Sequence, residues 1–141
     1  FFNALDAEIL NGGNAAYYAI ASDHIQMPSF DAFFNAQSYY ATLAHESVHW
    51  TRHETRLDRS FDRKQFGDEG YAKEELVAEL GAAFLCADLG LALDDRPDHA
   101  AYIGSWLKVL KNDKRAIFAA SAHAQRAVDY MHNLQANAAL S

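Results

Sequence analysis

The chain has 141 residues, of which 50% are apolar and 22% are charged, so it can form one hydrophobic core and is unlike a disordered or fibrous chain. Its formal net charge of -7 opposes phosphate groups and excludes a strongly basic nucleic-acid-binding domain. The lone Cys86 excludes an internal disulfide, and the sequence contains neither a signal peptide nor an apolar run long enough to span a bilayer. We therefore expect a single domain, residues 1–141, in the cytoplasm, with no membrane partner.

The first segment with strand character is NAAYYAIASDHIQMPSF, which follows the turn signal NGGN at residues 11–14. Aromatic and branched residues are frequent in it, as is typical of strands. We predict one or two strands that end at Pro28, although the alternation of apolar and polar residues does not fix their register.

Four helices are predicted after the strands. Ser29 or Asp31 is expected to cap the first, whose apolar residues recur at helical spacing through Trp50. The second is YAKEELVAELGAAFLCADLGL, the third is HAAYIGSWLKVLKN, and Asp113 is expected to cap the last, KRAIFAASAHAQRAVDYMHNL. Four helices with a small sheet on the N-terminal side predict an α+β fold dominated by helix.

The charged stretch RHETRLDRSFDRK, from Arg52 to Lys64, interleaves arginine with acidic residues. Such alternation is typical of a solvated face held by surface ion pairs. We therefore predict an exposed, salt-bridged segment here.

The stretch LAHESVH, residues 43–49, places His45 and His49 four residues apart on the first predicted helix. Residues four apart stand one turn above each other, so two imidazoles can bind one metal ion, although three polar residues can also meet by chance. Glu46 follows the first histidine and points about 100° away from it. It can therefore reach a water bound to the ion rather than the ion itself, as a general base requires.

A catalytic zinc site takes three protein ligands and a water, so a third ligand is needed. The second helix offers Glu75 and Glu79, which share a face, whereas Glu74 is expected to point away. Because carboxylates are costly to bury unpaired, we expect Glu75 to bind the ion and Glu79 to accept the free N–H of a ligand histidine. The alternative is that both are surface carboxylates of an amphipathic helix.

Two further residues are candidate transition-state stabilisers. Tyr71 begins the second helix, and His99 follows a predicted loop that contains Pro97. Either side chain can steady a developing oxyanion if it reaches the metal cleft. The alternative for His99 is to cap its own helix together with Asp98.

Three stretches, ATLAHESVHWTRHETRLDR, FGDEGYAKEELVAELGAAFLCADLG and HAAYIGSWLKVLKNDKRAIFAASAHAQRA, resemble the zincin-like metallopeptidase domain of the ArdC/TraC-type antirestriction proteins. The resemblance implies a zincin-like fold, with His45, His49 and Glu75 as zinc ligands and Glu46 as catalytic base. The zincin pattern Glu-x-x-Ala-acid, which begins at Glu75 here, favours Glu75 over Glu79 as the ligand. In that family an N-terminal domain that binds single-stranded DNA precedes this domain, and it is absent from this chain.

Two functional hypotheses follow. The first is a peptidase that uses one Zn²⁺ and hydrolyses a peptide or protein substrate with a zinc-bound water activated by Glu46. Its substrate is expected to pair with the edge of the strand region at residues 15–27. The second is a non-catalytic, metal-stabilised module of an antirestriction protein that protects incoming DNA by binding, with single-stranded DNA contacted only through a domain outside this chain. Glu46 favours the first hypothesis, because a structural metal site needs no carboxylate directed at a water.

Overall fold

The computed structural model describes residues 1–61, 68–91, 99–111 and 113–140, which form a three-stranded sheet followed by four helices. The strands are β1 (Glu8–Asn11), β2 (Tyr17–Ala19) and β3 (His24–Met27), and the helices are α1 (Ala36–Trp50), α2 (Glu69–Leu89), α3 (His99–Val109) and α4 (Lys114–Leu140). Short 3-10 helices at Phe2–Leu5 and Phe30–Ala32 flank the sheet. The predicted α+β fold dominated by helix is confirmed.

The sheet has the order β1-β3-β2, so β3 lies in the middle and β2 lies at an edge. β3 runs parallel to β1 and antiparallel to β2, and within the described part of the chain β2 pairs with β3 alone. Ile25 and Met27 of β3 are fully buried, and the strand contacts α1. One or two strands were predicted in the region of β2 and β3, whereas β1 was missed because most of its short run is exposed.

The first helix begins later than the predicted caps. Asn35 caps α1, because its Oδ1 accepts a hydrogen bond from the Ser38 backbone N–H at 2.8 Å. Ser29 and Asp31 belong instead to the second 3-10 helix, where neither is the cap of α1. The prediction was wrong because it counted Phe34 as part of the buried face of the helix, whereas its side chain is 95% exposed.

The central element is α2, which packs against α1, α3 and α4. Asp68 caps its first turn through a 2.8 Å hydrogen bond from the Tyr71 N–H, and Gly90 ends it in a left-handed conformation with φ of 70°. Leu76, Leu85 and Cys86 are almost completely buried. Because other helices surround α2, its side chains are buried in several directions rather than along one stripe.

Gly81 of α2 lies directly against Val48 of α1. A Cβ placed on Gly81 would lie 2.8 Å from one methyl carbon of Val48 and 3.1 Å from the other. Real side chains do not approach this closely, so glycine at this position permits the two helices to pack at their observed distance.

The segment after α1 differs from the predicted solvated face. Arg59 is only 6% exposed, and the guanidinium of Arg56 stacks on the ring of Trp50, 4.0 Å from its centroid. The prediction was wrong for these two arginines, because the segment folds back against α1 rather than into water. Residues 62–64 of this stretch lie outside the described residues.

Within the part of the chain that the structure describes, none of the helices combines the length and apolarity that crossing a membrane requires.

Candidate metal centre

Two histidines of α1 face each other one helical turn apart. The Nε2 atoms of His45 and His49 are 3.2 Å apart, and the side chains are 12% and 9% exposed. The helical spacing of four residues therefore brings both rings to one point, as the sequence predicts.

The third side chain at this point comes from α2. Glu75 Oε2 lies 3.3 Å from His45 Nε2, and Glu75 Oε1 lies 3.2 Å from His49 Nε2. Ligand atoms that each lie about 2.0–2.1 Å from one tetrahedral ion lie about 3.3–3.4 Å from one another. The spacing of these three side chains thus fits a single small divalent cation, and they form a group able to hold a metal ion.

A second pair of carboxylates holds the outer nitrogens of the two rings. Glu79 Oε1 lies 3.1 Å from His45 Nδ1, and Glu74 Oε2 lies 2.7 Å from His49 Nδ1. An ionised carboxylate only accepts hydrogen bonds, so Glu74 keeps a proton on Nδ1 of His49 and leaves its Nε2 as the nitrogen that a cation can bind. Glu79 lies within ion-pair distance of His45 Nδ1 and favours the same arrangement in that ring.

Glu74 was wrongly expected to point away from the site. It is 1% exposed and forms an ion pair with Arg59, whose Nε lies 2.6 Å from Glu74 Oε1 and whose second contact to Glu74 Oε2 is 3.0 Å. The remaining Arg59 donors bind Thr51 Oγ1 and the Val48 carbonyl oxygen. The sequence did contain a signal, because two ligand histidines need two acceptors and the helix offers Glu74 and Glu79 on either side of the candidate ligand Glu75.

The electrostatic environment favours positive charge at the centre. Burial alone would lower the pKa of His49, but hydrogen bonds to Glu74 and Glu75 outweigh it and raise the pKa to about 10. The pKa of His45 is likewise raised, because hydrogen bonds to Glu75 and Glu79 outweigh its burial. Burial raises the pKa of Glu74, yet hydrogen bonds from His49 and Arg59 reverse this and lower it to about 2. The donor set and its surroundings therefore fit a bound divalent cation.

A cavity of about 410 Å³ opens beside these side chains; we call it the metal cavity. Glu46 lines it together with His45, His49 and Glu75, and its side chain is 7% exposed. Tyr71, in the first turn of α2, also lines the metal cavity. His99 is the first residue of α3, but its side chain lies outside the described residues.

The edge strand β2 forms the opposite wall of the metal cavity. Tyr17 and Tyr18 of β2 and Ile20 just beyond it line the cavity. A cluster of polar contacts ties this strand to the end of α1: the Tyr18 hydroxyl donates to Asp23 at 2.7 Å, and Arg56 donates to both residues. We call Tyr18, Asp23 and Arg56 the strand clamp. It holds the outer edge of β2, which pairs with none of the other described strands, beside the candidate metal-binding side chains.

A helix-borne His-Glu-x-x-His, a carboxylate from the next helix and an adjacent edge strand together define a zincin-like metallopeptidase. Residues 1–123 match that family, and the chain belongs to it. Among solved structures it is similar to the antirestriction protein ArdC of plasmid R388, both in a Mn(II)-bound structure (48% identity, TM-score 0.80) and in a metal-free structure (51% identity, TM-score 0.77). The similarity covers 98% of this chain and 50% and 48% of those two chains.

Two curated proteins are also similar to this chain. The y4eC protein of Sinorhizobium fredii is 47% identical over 138 residues, which are 98% of this chain and 45% of that protein. The DNA primase TraC of Escherichia coli is 46% identical over 116 residues, which are 82% of this chain and 11% of the primase. The chain therefore spans less than half the length of either curated relative.

Proposed function

We propose that this protein is a metal-dependent peptidase of the antirestriction type, with His45, His49 and Glu75 as ligands of one Zn²⁺ and Glu46 as the catalytic base. The observation that carries the proposal is the convergence of two Nε2 atoms and one carboxylate within 3.2–3.3 Å of one another, in the cavity that Glu46 also lines. A structural metal site is closed by protein ligands, whereas this one opens into a cavity.

The metal, when bound, would lower the pKa of a water to about 7 and polarise the carbonyl group of a peptide bond. Glu46 accepts the proton of the attacking water and returns it to the leaving amine. In this proposal Tyr71, which lines the same cavity, donates a hydrogen bond to the developing oxyanion. The edge of β2 that pairs with none of the described strands binds the substrate as an added strand, which presents an extended peptide to the metal.

The choice of zinc rests on the His, His and Glu donor set, which is that of catalytic zinc sites. The same nitrogen and oxygen donors accept manganese, and the similar ArdC protein binds Mn(II) in one of its structures. Elemental analysis of the protein purified without added metal distinguishes the two ions.

The similarity to an antirestriction protein and to a DNA primase supports a role for the peptidase in protecting incoming DNA. In this proposal the substrate is a protein, and single-stranded DNA is contacted only through a domain outside this chain.

The decisive variant is Glu46→Gln. Digestion of an unbiased peptide library should fall by about 10²–10⁴-fold while metal content and folding persist, because the amide cannot accept the proton. His45→Ala should lose the metal, and Glu8→Gln, a change at an exposed position on β1, serves as the control. Absence of any cleavage by the unmodified protein, with DNA protection that survives Glu46→Gln, would reject the peptidase and leave a metal-stabilised binding module.

A further inference from the structure

A second cavity of about 430 Å³, which we call the side cavity, adjoins the metal cavity. Ile20 and Arg52 line both cavities and thus mark the junction between them. The side cavity extends from Ile20 and Ala21, just beyond the edge strand β2, to residues 58–60 of the segment that follows α1. A peptide added to β2 would therefore pass from the metal cavity over Ile20 into the side cavity.

The backbone of Arg52 is held firmly at this junction. Arg52 lies three residues after His49, so its side chain emerges from the same side of the chain as the metal-binding rings. Its N–H donates to the His49 carbonyl oxygen at 3.0 Å, and its own carbonyl accepts from the Arg59 N–H at 3.0 Å. Arg59 is itself fixed by the buried ion pair with Glu74. The backbone of Arg52 is thus tied to the residues of the metal centre.

The charges around the junction favour one kind of ligand. Among the described residues that line the metal cavity, Arg52 carries the one permanent positive charge, whereas Glu46 and Glu75 are acidic. The side cavity is lined by the acidic Glu54 and Asp58 and by Arg59, whose charge is paired with Glu74. Arg52 is thus the permanent positive charge that lines both cavities, and its planar guanidinium can bind a carboxylate through two parallel hydrogen bonds.

We propose that Arg52 is a specificity-determining residue that binds a carboxylate of the peptide substrate, within a few residues of the bond at the metal. Strand residues advance by about 3.3 Å each, so a peptide paired with β2 spans the junction in two or three residues. The carboxylate belongs either to an acidic side chain or to the peptide's own C-terminus, and both present the same group to the guanidinium. That this peptide is a substrate rests on the proposed peptidase function, but the binding of the peptide can be measured without cleavage.

The test uses metal-loaded Glu46→Gln protein, which binds without cleaving, and pools of fluorescent short peptides that are randomised except at one position. One pool fixes Glu, a second fixes Gln, and each is made with a free or an amidated C-terminus. Fluorescence anisotropy should give about tenfold tighter binding for the pool that carries the recognised carboxylate, since a hydrogen-bonded charge contributes at least one factor of ten. The pool that shows the preference identifies the source as side chain or C-terminus.

Variants at Arg52 then decide the assignment. Arg52→Gln should abolish the acid preference, Arg52→Lys should keep part of it, and Arg52→Glu should reverse it toward a pool with fixed Lys. Arg115→Gln removes one positive charge from a side chain that is 93% exposed on α4 and should change nothing. Metal content of each variant checks that its site is intact, and the Lys variant preserves the test if the Gln variant does not fold.

The results separate this inference from the peptidase proposal. Two outcomes overturn the role of Arg52 even if the active protein cleaves peptides. One is an acid preference that persists in the Arg52→Gln variant, and the other is the absence of any acid preference when Arg52 is present. An Arg52-dependent preference in a protein that cleaves nothing would uphold the carboxylate site and reject the peptidase.

Discussion

At the residue scale, consecutive glutamates of α2 act on opposite sides of one imidazole. Glu74 holds Nδ1 of His49 at 2.7 Å, while Glu75 faces its Nε2 at 3.2 Å. His45 is treated similarly, with Glu79 at its Nδ1 and Glu75 at its Nε2. Three carboxylates thus divide between ligand and orienting roles according to which ring nitrogen each one meets.

We expect Glu74→Gln and Glu79→Gln each to weaken metal binding by about 10–100-fold, because an amide can present its NH₂ group to the ring and holds the imidazole less strongly in its metal-binding tautomer. Competition with a chelating dye measures the affinity. Glu69→Gln, at an exposed position in the first turn of the same helix, is the control. Unchanged affinity in both orienting variants would contradict the division of roles.

The His-Glu-x-x-His spacing could be interpreted from sequence because a helix converts four residues into one turn whatever surrounds it. The role of Glu74 could not, because the argument assumed that α2 has one buried stripe. Helices pack around α2 in several directions, so a residue about 100° from Glu75 is still inside the protein. The burial of Arg59 depends on the path of the loop, which local sequence does not specify.

At the element scale, the distance between α1 and α2 determines whether ligands from two helices can meet. Val48 of α1 lies one residue before His49, and Gly81 of α2 lies two residues after Glu79. The contact between Gly81 and Val48 is therefore close to the residues that each helix contributes to the metal centre. β-Branched Val48 has little rotamer freedom in a helix and cannot move aside easily. The helix spacing is therefore sensitive to one methyl group.

We predict that Gly81→Ala lowers the free energy of unfolding by about 1–3 kcal/mol, through overpacking, and weakens metal binding at the same time. Denaturant unfolding and metal titration measure the two effects. In the double variant Gly81→Ala with Val48→Ala the metal affinity should recover, because the clashing methyl groups are gone. Gly13→Ala is a poor control because its φ is 71°, whereas Gly104→Ala introduces a methyl group with nothing near it. A Gly81→Ala protein with full metal affinity would show that helix spacing is not limiting.

The strand clamp holds β2 in position, and its contribution to stability depends on pH through the carboxyl group of Asp23. Burial raises the pKa of Asp23, but hydrogen bonds from Arg56 and Tyr18 outweigh it and hold the pKa below the usual 3.8. A carboxyl group with a lowered pKa in the folded state stabilises the fold above its unfolded pKa. That contribution is lost as the pH falls through the lower value of the folded state.

We therefore expect Asp23→Asn to cost about 1 kcal/mol at neutral pH, a value reduced for solvent screening at this partly exposed site. The difference in the free energy of unfolding between this variant and the unmodified protein should shrink as the pH falls below 3.8. Urea unfolding at a series of pH values measures it, with the exposed Asp31→Asn as the comparison. A loss of stability that is independent of pH would mean that the carboxylate charge is not what holds the strand.

At the scale of the whole molecule, the net charge of -7 governs encounters with other polyanions. Most non-specific affinity for DNA comes from neutralised phosphates and released counterions, which an acidic surface opposes. We predict that this chain binds single-stranded DNA with a dissociation constant weaker than about 10⁻⁶ M even at low salt. Fluorescence anisotropy with a labelled oligonucleotide measures it, and submicromolar binding would contradict the prediction.

The buried Arg59–Glu74 pair and the carboxylates on both outer nitrogens hold the histidine rings in place through contacts made by the protein itself. The ligands are thus arranged in advance, unlike those of small zinc domains that are unfolded without their ion. Metal capture then requires only the loss of water from the ion and of protons from the rings, with no folding step. We therefore expect the folded, metal-free protein to bind a divalent ion without refolding.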